Sequence, residues 1–329
     1  MTADDDDVHD LAILGGEMTQ QEADLLEEHV ANNPSDVGCR TKLLGYYLTK
    51  GLRGTTFEPN RVRHVIWLVD HHPEAEVLGL PYGGFSKMLE PRGYDQVKTR
   101  WEEAIRRSPE NLPMLSNASR FFLQFEPEIA EELLLRAQKL DAKNPHWASS
   151  LGLLYDLGLI SIPDEASRQD VAKKAFHQYE LAHQLSNKEE KLVLLASLAK
   201  TAFASGFHDD AVKYASMMLN DKSKGWNRGN QIHHGNLILG RIALVEGDLV
   251  SAKSRLLLAG KTPGSPQLNS FGPNMQLAKD LLETGETQTV LEYFELCKKF
   301  WKMGEPRLKQ WSIDVKAGRF PQMWACLNY

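Results

Sequence analysis

Imidazoles, side-chain amides and a few cations carry most of the chemical capacity of this chain. His233 and His234 are adjacent, are followed by Asn236, and come just after the polar stretch Trp226-Asn227-Arg228-Gly229-Asn230. Neighbouring positions on a helix do not share a face, so the two imidazoles cannot make a metal pair by themselves. Their expected work is hydrogen bonding at the start of a helix, with ligand contact by His234 or Asn236 as the alternative. The other histidines are scattered: His64, His71 and His72 fall on or just past one helix, and His177 and His183 on another. His71-His72-Pro73 has the form of a helix end where imidazole meets the last carbonyls. The segment Gly260 to Asn274 is rich in Pro, Gly, Asn and Ser, and offers Gln267, Asn269 and Ser270 as polar contacts. Gly260-Lys261-Thr262 resembles a phosphate loop only superficially, because the upstream glycine spacing and the preceding strand are missing.

Recognisable catalytic patterns are absent from the sequence. There is no GxSxG elbow, HExxH, dinucleotide fingerprint or clustered Asp-x-Asp. The expectation is therefore no catalytic residue, no metal and no cofactor. Cys39, Cys297 and Cys326 are far apart and odd in number, which argues against a disulfide framework or a zinc knuckle and for reduced, buried thiols. Charged residues make up 25% and hydrophobic ones 42% of the 329 residues, the balance of a folded chain with a sizeable core. Part of the net charge of −6 sits in Asp4 to Asp7, read as a frayed, solvated terminus. The body is then nearly neutral, and no basic face for nucleic acid or membrane surfaces is expected. The acidic start is unlike a secretory signal and no apolar run approaches a membrane span, so the expected location is cytoplasmic.

Elements that position these groups can be read from the spacing of small and large residues. Thr19-Gln20-Gln21-Glu22 has capping-box spacing ahead of Ala23, Leu25, Leu26 and Val30, which predicts a helix. Asn33-Pro34-Ser35-Asp36 opens another, and Val62, Val65, Ile66 and Val69 form the apolar stripe of a third, with a lengthened turn from Gly51 to Asn60 between them. The stretch Pro73 to Gly93 breaks helical periodicity with Pro81, Gly83, Gly84 and Pro91, and a helix resumes over Tyr94 to Arg107. Further on, one order of residues recurs: Leu198-Ala199, Ala202, Gly206, Ala211, Ala215 and Met218; then Leu239-Gly240, Ala243, Gly247, Ala252, Leu256 and Ala259; then Leu277-Ala278, Leu281, Gly285, Val290, Phe294 and Cys297. Units from Asn111 and from Pro145 follow the same order, the latter with Leu151-Gly152, Tyr155, Ala175, Tyr179 and Ala182 around an insertion. Small residues let two antiparallel helices approach, large ones fill the gaps, and glycine closes the first helix with left-handed backbone. Leu308, Trp311 and Val315 mark a last helix stopped by Gly318, followed by the apolar tail Phe320 to Tyr329, expected to pack on the array or to meet a partner.

From Asn111 to Trp301 this pattern resembles the tetratricopeptide-repeat (TPR) superfamily, although the tryptophan of the fourth place is absent or shifted to Trp147 and Asn117 stands at the seventh place of one unit. The resemblance implies an all-α, right-handed superhelical solenoid of antiparallel helix pairs, with an N-terminal helical region (1–92), a repeat array (93–303) and a capping helix and tail (304–329). It also implies a concave groove lined by the first helix of each pair. Carried over position by position, the ninth place of successive units holds Ser119, Leu153, Lys200, Arg241 and Lys279. His234 and Leu237 should face the same groove, and the Gly260 to Asn274 loop, too long for the tight linker the repeat requires, is read either as folding over the groove or as a structural spacer.

Three successive cations suit an acidic peptide or protein segment, held bidentately by Arg241 and by the lysines as point charges. The expectation is a non-catalytic adaptor contacting its partner through Lys200, Arg241, Lys279, His234, Asn236, Gln267, Asn269 and Ser270. The alternative is a helical-repeat enzyme or small-molecule sensor using His233, His234 and the Gly260 to Asn274 loop.

Overall fold

The structure, a computed structural model, describes residues 5–51, 58–223, 225–323 and 326, with the side chains of 5–7 left out. Among the described residues the chain is entirely helical, with seventeen α-helices, four short 3-10 turns and no strand. It divides into two compact units, Met1–Trp147 and Ala148–Tyr329.

The first unit opens with α1 (Asp5–Glu17), α2 (Gln20–Asn32), α3 (Val37–Gly51) and α4 (Glu58–His71). Asp4 lies outside the described residues, and the backbone from Asp5 is helical, so Asp5 to Asp7 belong to the first turn of α1. What makes α1 possible is close approach to α3. A Cβ on Gly15 would fall 1.9 Å from the Lys42 carbonyl oxygen, and one on Gly45 would fall 1.8 Å from that of Ala12. Thr19 forms the full capping box with Glu22 at the start of α2. Of the lengthened turn expected from Gly51 to Asn60, residues 52–57 lie outside the description.

Between α4 and α5 (Pro91–Arg107) the irregular connection contains two 3-10 turns, Glu76–Gly79 and Pro81–Gly83. Two buried polar side chains clamp it. Arg61 donates to Glu90 at 2.8 Å and to the Gly84 carbonyl, and stacks over Phe85 at 4.3 Å. Asn117, on α6 (Leu112–Phe122), donates to the carbonyls of Pro73 and Ala75 at 2.9 and 3.0 Å. The residue that departs from the repeat pattern is thus the one that ties down the departure in the chain. α7 (Pro127–Leu140) pairs with α6.

Division between the units falls in the first turn of α8 (Pro145–Gly158). The second unit continues through α9 (Glu165–Leu185), α10 (Lys188–Ala204), α11 (His208–Asn220), α12 (Arg228–Val245), α13 (Leu249–Gly260), the single turn α14 (Pro266–Ser270), α15 (Gln276–Glu283), α16 (Thr287–Cys297) and α17 (Glu305–Lys316). Three hairpins, α10–α11, α12–α13 and α15–α16, share one turn. Gly206, Gly247 and Gly285 adopt φ of +78°, +81° and +87°. In each, the N–H after the glycine bonds to the carbonyl five residues back, from Phe207 to Ala202, Asp248 to Ala243 and Glu286 to Leu281, at 2.8 to 2.9 Å. This Schellman closure satisfies carbonyls that the helix end leaves open. α12 packs on α10 and α15, and α13 on α16, so adjacent hairpins share their apolar faces. Gly318, at φ +70°, ends α17 in the same way. In the tail, Met323 and Cys326 are buried in the core shared by α13, α15, α16 and α17, and the Cys326 carbonyl accepts from the Met275 N–H at 2.8 Å. Residues 324, 325 and 327–329 lie outside the description. Cys297 and Cys326 are buried free thiols, and Cys39 is half-buried.

Candidate functional site

One face of α12 organises a cavity in the second unit. His234, Leu237, Ile238 and Arg241 follow helical spacing i, i+3, i+4, i+7, so they stand above one another on the same side. Lys200 and Ser197 from α10 adjoin them, with Asp156 on α8, Arg168 on α9, and Asn274 and Gln276 at the start of α15. Leu159 and Ile160 supply apolar surface, and the cavity measures 420 Å3. That lies within the ~300–1,000 Å3 common for ligand sites.

Charges in this wall come in pairs. Lys200 Nζ lies 2.9 Å from Asp156 Oδ2. Arg241 Nε donates to Asp280 Oδ2 at 3.1 Å, and Gln276 donates to the other oxygen of that carboxylate at 2.7 Å. The Arg241 guanidinium stacks over Phe203 at 4.4 Å, which fixes its plane. Among the described residues, its two terminal nitrogens have no hydrogen-bond partner and remain as a fork of donors. Asp156 is only 9% exposed, and its Oδ1 has no partner. Arg168 is turned to the carbonyl of Ile162 and to Glu165 and braces the turn before α9.

Both imidazoles at the start of α12 are neutral near pH 7. Burial pushes His233 down to about 3, with His234 adding to the effect. Burial, aided by the charge of Lys200, pushes His234 down to about 4. His233 faces away from the cavity into the core, while His234 lines the wall.

Much of the Gly260 to Asn274 segment is pinned to the first turns of α12. Thr262 donates to the Gly229 carbonyl at 2.7 Å, Ser265 to Asn230 at 2.5 Å, and Asn230 to Gln267 at 2.9 Å. Gly229 permits this contact, because a Cβ there would fall 1.8 Å from the Gly264 carbonyl oxygen. Asn274, at the far end of the segment, reaches the cavity.

The cavity thus brings together Lys200, Arg241 and His234 from the sequence-derived set, and leaves the others elsewhere. Lys279 pairs with Glu283 at 2.5 Å on its own helix and does not line the cavity; Asp280, the next residue, meets Arg241. Asn236 is buried against α13, donating to the Ile232 carbonyl at 2.8 Å and accepting from Arg255 at 3.2 Å. Asn269 donates to the carbonyls of Ser265 and Phe300 at 3.1 Å, and Gln267 and Ser270 are exposed outside the cavity. Asp156, Gln276 and Asp280 were missed, and Asn274 was named only as the end of the Gly260 to Asn274 loop. Asp156 was legible as a carboxylate on a helix opposite a lysine-bearing one. The α15 contacts were not, because Arg241 meets Asp280 across 39 positions of chain.

For metals, the described residues offer His29, Asp36 and Cys39, with ligand atoms within 4.8 Å of one another. Asp36 already caps α3 through the Cys39 N–H at 2.8 Å and holds His29 at 3.0 Å, so the group reads as a helix cap. No helix among the described residues is long and apolar enough to cross a membrane. Comparison with the models of known protein families and with curated proteins gives no match.

Proposed function

We propose that the chain is a non-catalytic interaction protein of TPR-like construction that receives a peptide or protein segment in the α8–α15 cavity, and that it works in the cytoplasm. The repeated Schellman-closed hairpins support the construction: three pairs with one turn geometry and shared apolar faces are what successive units of a right-handed superhelical solenoid require. Free thiols at all three cysteines fit a reducing compartment.

The observation that carries the binding role is the Arg241 fork. A guanidinium fixed at Nε by Asp280 and across its face by Phe203 holds two donors ready beside an apolar wall, and the matching group is a carboxylate of the partner. Preorganisation limits the entropy lost by the receptor on binding. Affinity capture from the native cell with wild type and with Arg241→Ala combined with Lys200→Ala tests the role. Loss of the captured partner at unchanged helicity is expected, and equal recovery refutes it.

A second reading, a small-molecule sensor or a helical-repeat enzyme, draws on the compactness of the cavity and on the convergence of His234, Asn274 and Arg241. Native mass spectrometry of protein purified from its own cell separates the two, since a retained small molecule supports the sensor.

A further inference from the structure

We infer that the segment received in this cavity is amphipathic, with aliphatic side chains laid along the exposed faces of α8 and α10 and a single carboxylate on Arg241. This rests on the binding role proposed above and specifies the composition of the partner segment.

The helix faces that carry the cavity do not end at its rim. On α10, Val193 precedes Ala196, Ser197 and Lys200 at spacing i, i+3, i+4, i+7, and the last three line the cavity. On α8, Leu153 and Leu157 share one side of the helix with Asp156, and Ile160 enters the cavity wall from the following 3-10 turn. Leu153, Leu157, Ile160 and Val193 are 41% to 64% exposed. Single exposed aliphatic side chains are ordinary, but four that border one cavity form a patch of the kind that marks an interaction site. The Lys200–Asp156 pair joins α10 to α8 at 2.9 Å, and α12 packs on α10, so the three helices stand side by side. At roughly 8–10 Å between neighbours, the surface from α8 to α12 is wide enough for a length of chain rather than a small molecule.

Charge sets how acidic that chain can be. Of the cations in the wall, Lys200 is neutralised by Asp156, and Arg168 is held by the Ile162 and Pro163 carbonyls and by Glu165. The Arg241 fork is what remains, and it matches one carboxylate. A run of acidic residues would set its other charges against aliphatic surface, where they lose hydration without gaining a partner. Aliphatic residues beside a single acid gain on both counts, because burying each apolar side chain is favourable and the one charge is paired.

A random dodecapeptide library displayed on phage and selected against the full chain tests the assignment, with the enriched sequences synthesised and measured by calorimetry. The expected result is enrichment of peptides with several aliphatic residues near one acid, and a loss of affinity of about tenfold or more when those aliphatic residues are replaced by Asn in the peptide. Arg241→Ala should weaken the same peptides. So should Leu153→Asn combined with Val193→Asn, which leaves the charge of the site unchanged. The peptide substitutions need no variant protein, so misfolding of the double variant, checked by circular dichroism, does not decide the outcome. Acid-rich peptides that need Arg241 but ignore the double variant overturn the amphipathic segment and leave the carboxylate reading standing. Dependence on Leu153 and Val193 without Arg241 overturns the charged half of the inference. Peptides indifferent to all three substitutions overturn both halves together. A selection without a binder overturns the present inference alone, because the capture experiment with Arg241→Ala still reads a larger partner.

Discussion

His233 bridges the core to the backbone of Asn274: its Nε2 accepts the Asn274 N–H at 3.2 Å, and its Nδ1 donates to the Ala259 carbonyl at 3.3 Å. Both bonds require the neutral ring with its proton on Nδ1, and the second protonation would set a ring N–H against the N–H of Asn274. The fully buried imidazole thereby fixes a residue that lines the cavity.

A pH dependence follows from that bridge. His233 titrates at about 3 in the folded chain instead of 6.5, so between these values the unfolded chain binds the proton and the folded chain does not. Its contribution to stability is complete above pH 6.5 and is lost as pH falls toward 3. The slope is up to about 1.4 kcal/mol per pH unit for each such group. His234 adds in the same direction down to about 4. Urea unfolding of wild type and His233→Gln between about pH 7 and about pH 5 should show a shallower loss for the variant. Equal slopes would exclude His233 as a source.

Gly229→Ala should free the Gly260 to Asn274 segment from α12. A Cβ would fall 1.8 Å from a backbone oxygen, which cannot move aside as a flexible side chain does. A cost of about 1–3 kcal/mol is expected, read by denaturant midpoint, together with faster hydrogen exchange in the segment.

At the hairpin turns the expectation is milder. A Cβ on Gly247 or Gly285 meets nothing within 4 Å, so alanine there carries only the left-handed backbone penalty, about 1–2 kcal/mol. Gly240→Leu belongs to another class: even a Cβ would lie 2.4 Å from the buried side chain of Leu277, and a melting temperature well below that of Gly247→Ala is predicted.

Asn187→Ala should loosen the helix that carries Lys200. Asn187 accepts from the N–H groups of Glu189 and Glu190 at 2.9 and 3.0 Å, while Glu190 returns a bond to the Asn187 N–H. Losing this capping box costs about 1 kcal/mol, measurable by denaturant unfolding.

In the first unit, Tyr47→Phe removes one of three groups that bond to a single oxygen of Glu27; the others are Arg63 at 2.6 Å and His64 at 2.9 Å. Burial pushes the Glu27 carboxyl up, but the bonds from His64 and Tyr47 and the nearby charges outweigh it and hold it at about 2. Tyr47→Phe should therefore raise the Glu27 pKa and move acid unfolding to higher pH, with titration followed by NMR as the check.

Local signals in the sequence determined the helices and their turns. Thr19 with Glu22, the glycines at 206, 247 and 285, and the stops at Gly318 and in the Pro73 to Gly93 connection act through a few bonds to near neighbours, so residue type and spacing suffice to place them. The face of α12 that holds His234 and Arg241 was also legible, because helical spacing carries it. Tertiary structure alone decided what those side chains meet. Whether Arg241 is free or tied depends on Asp280 from 39 positions away, and whether Lys200 is matched depends on Asp156. Lys279 was assigned to the groove by register and Asn236 was named as a ligand contact, yet Lys279 turned to Glu283 and Asn236 to Arg255. The α1 helix likewise depends on two glycines, Gly15 and Gly45, meeting backbone across a helix interface. Contacts of this kind are set by rotation and approach between distant segments, and periodicity within one segment does not encode them.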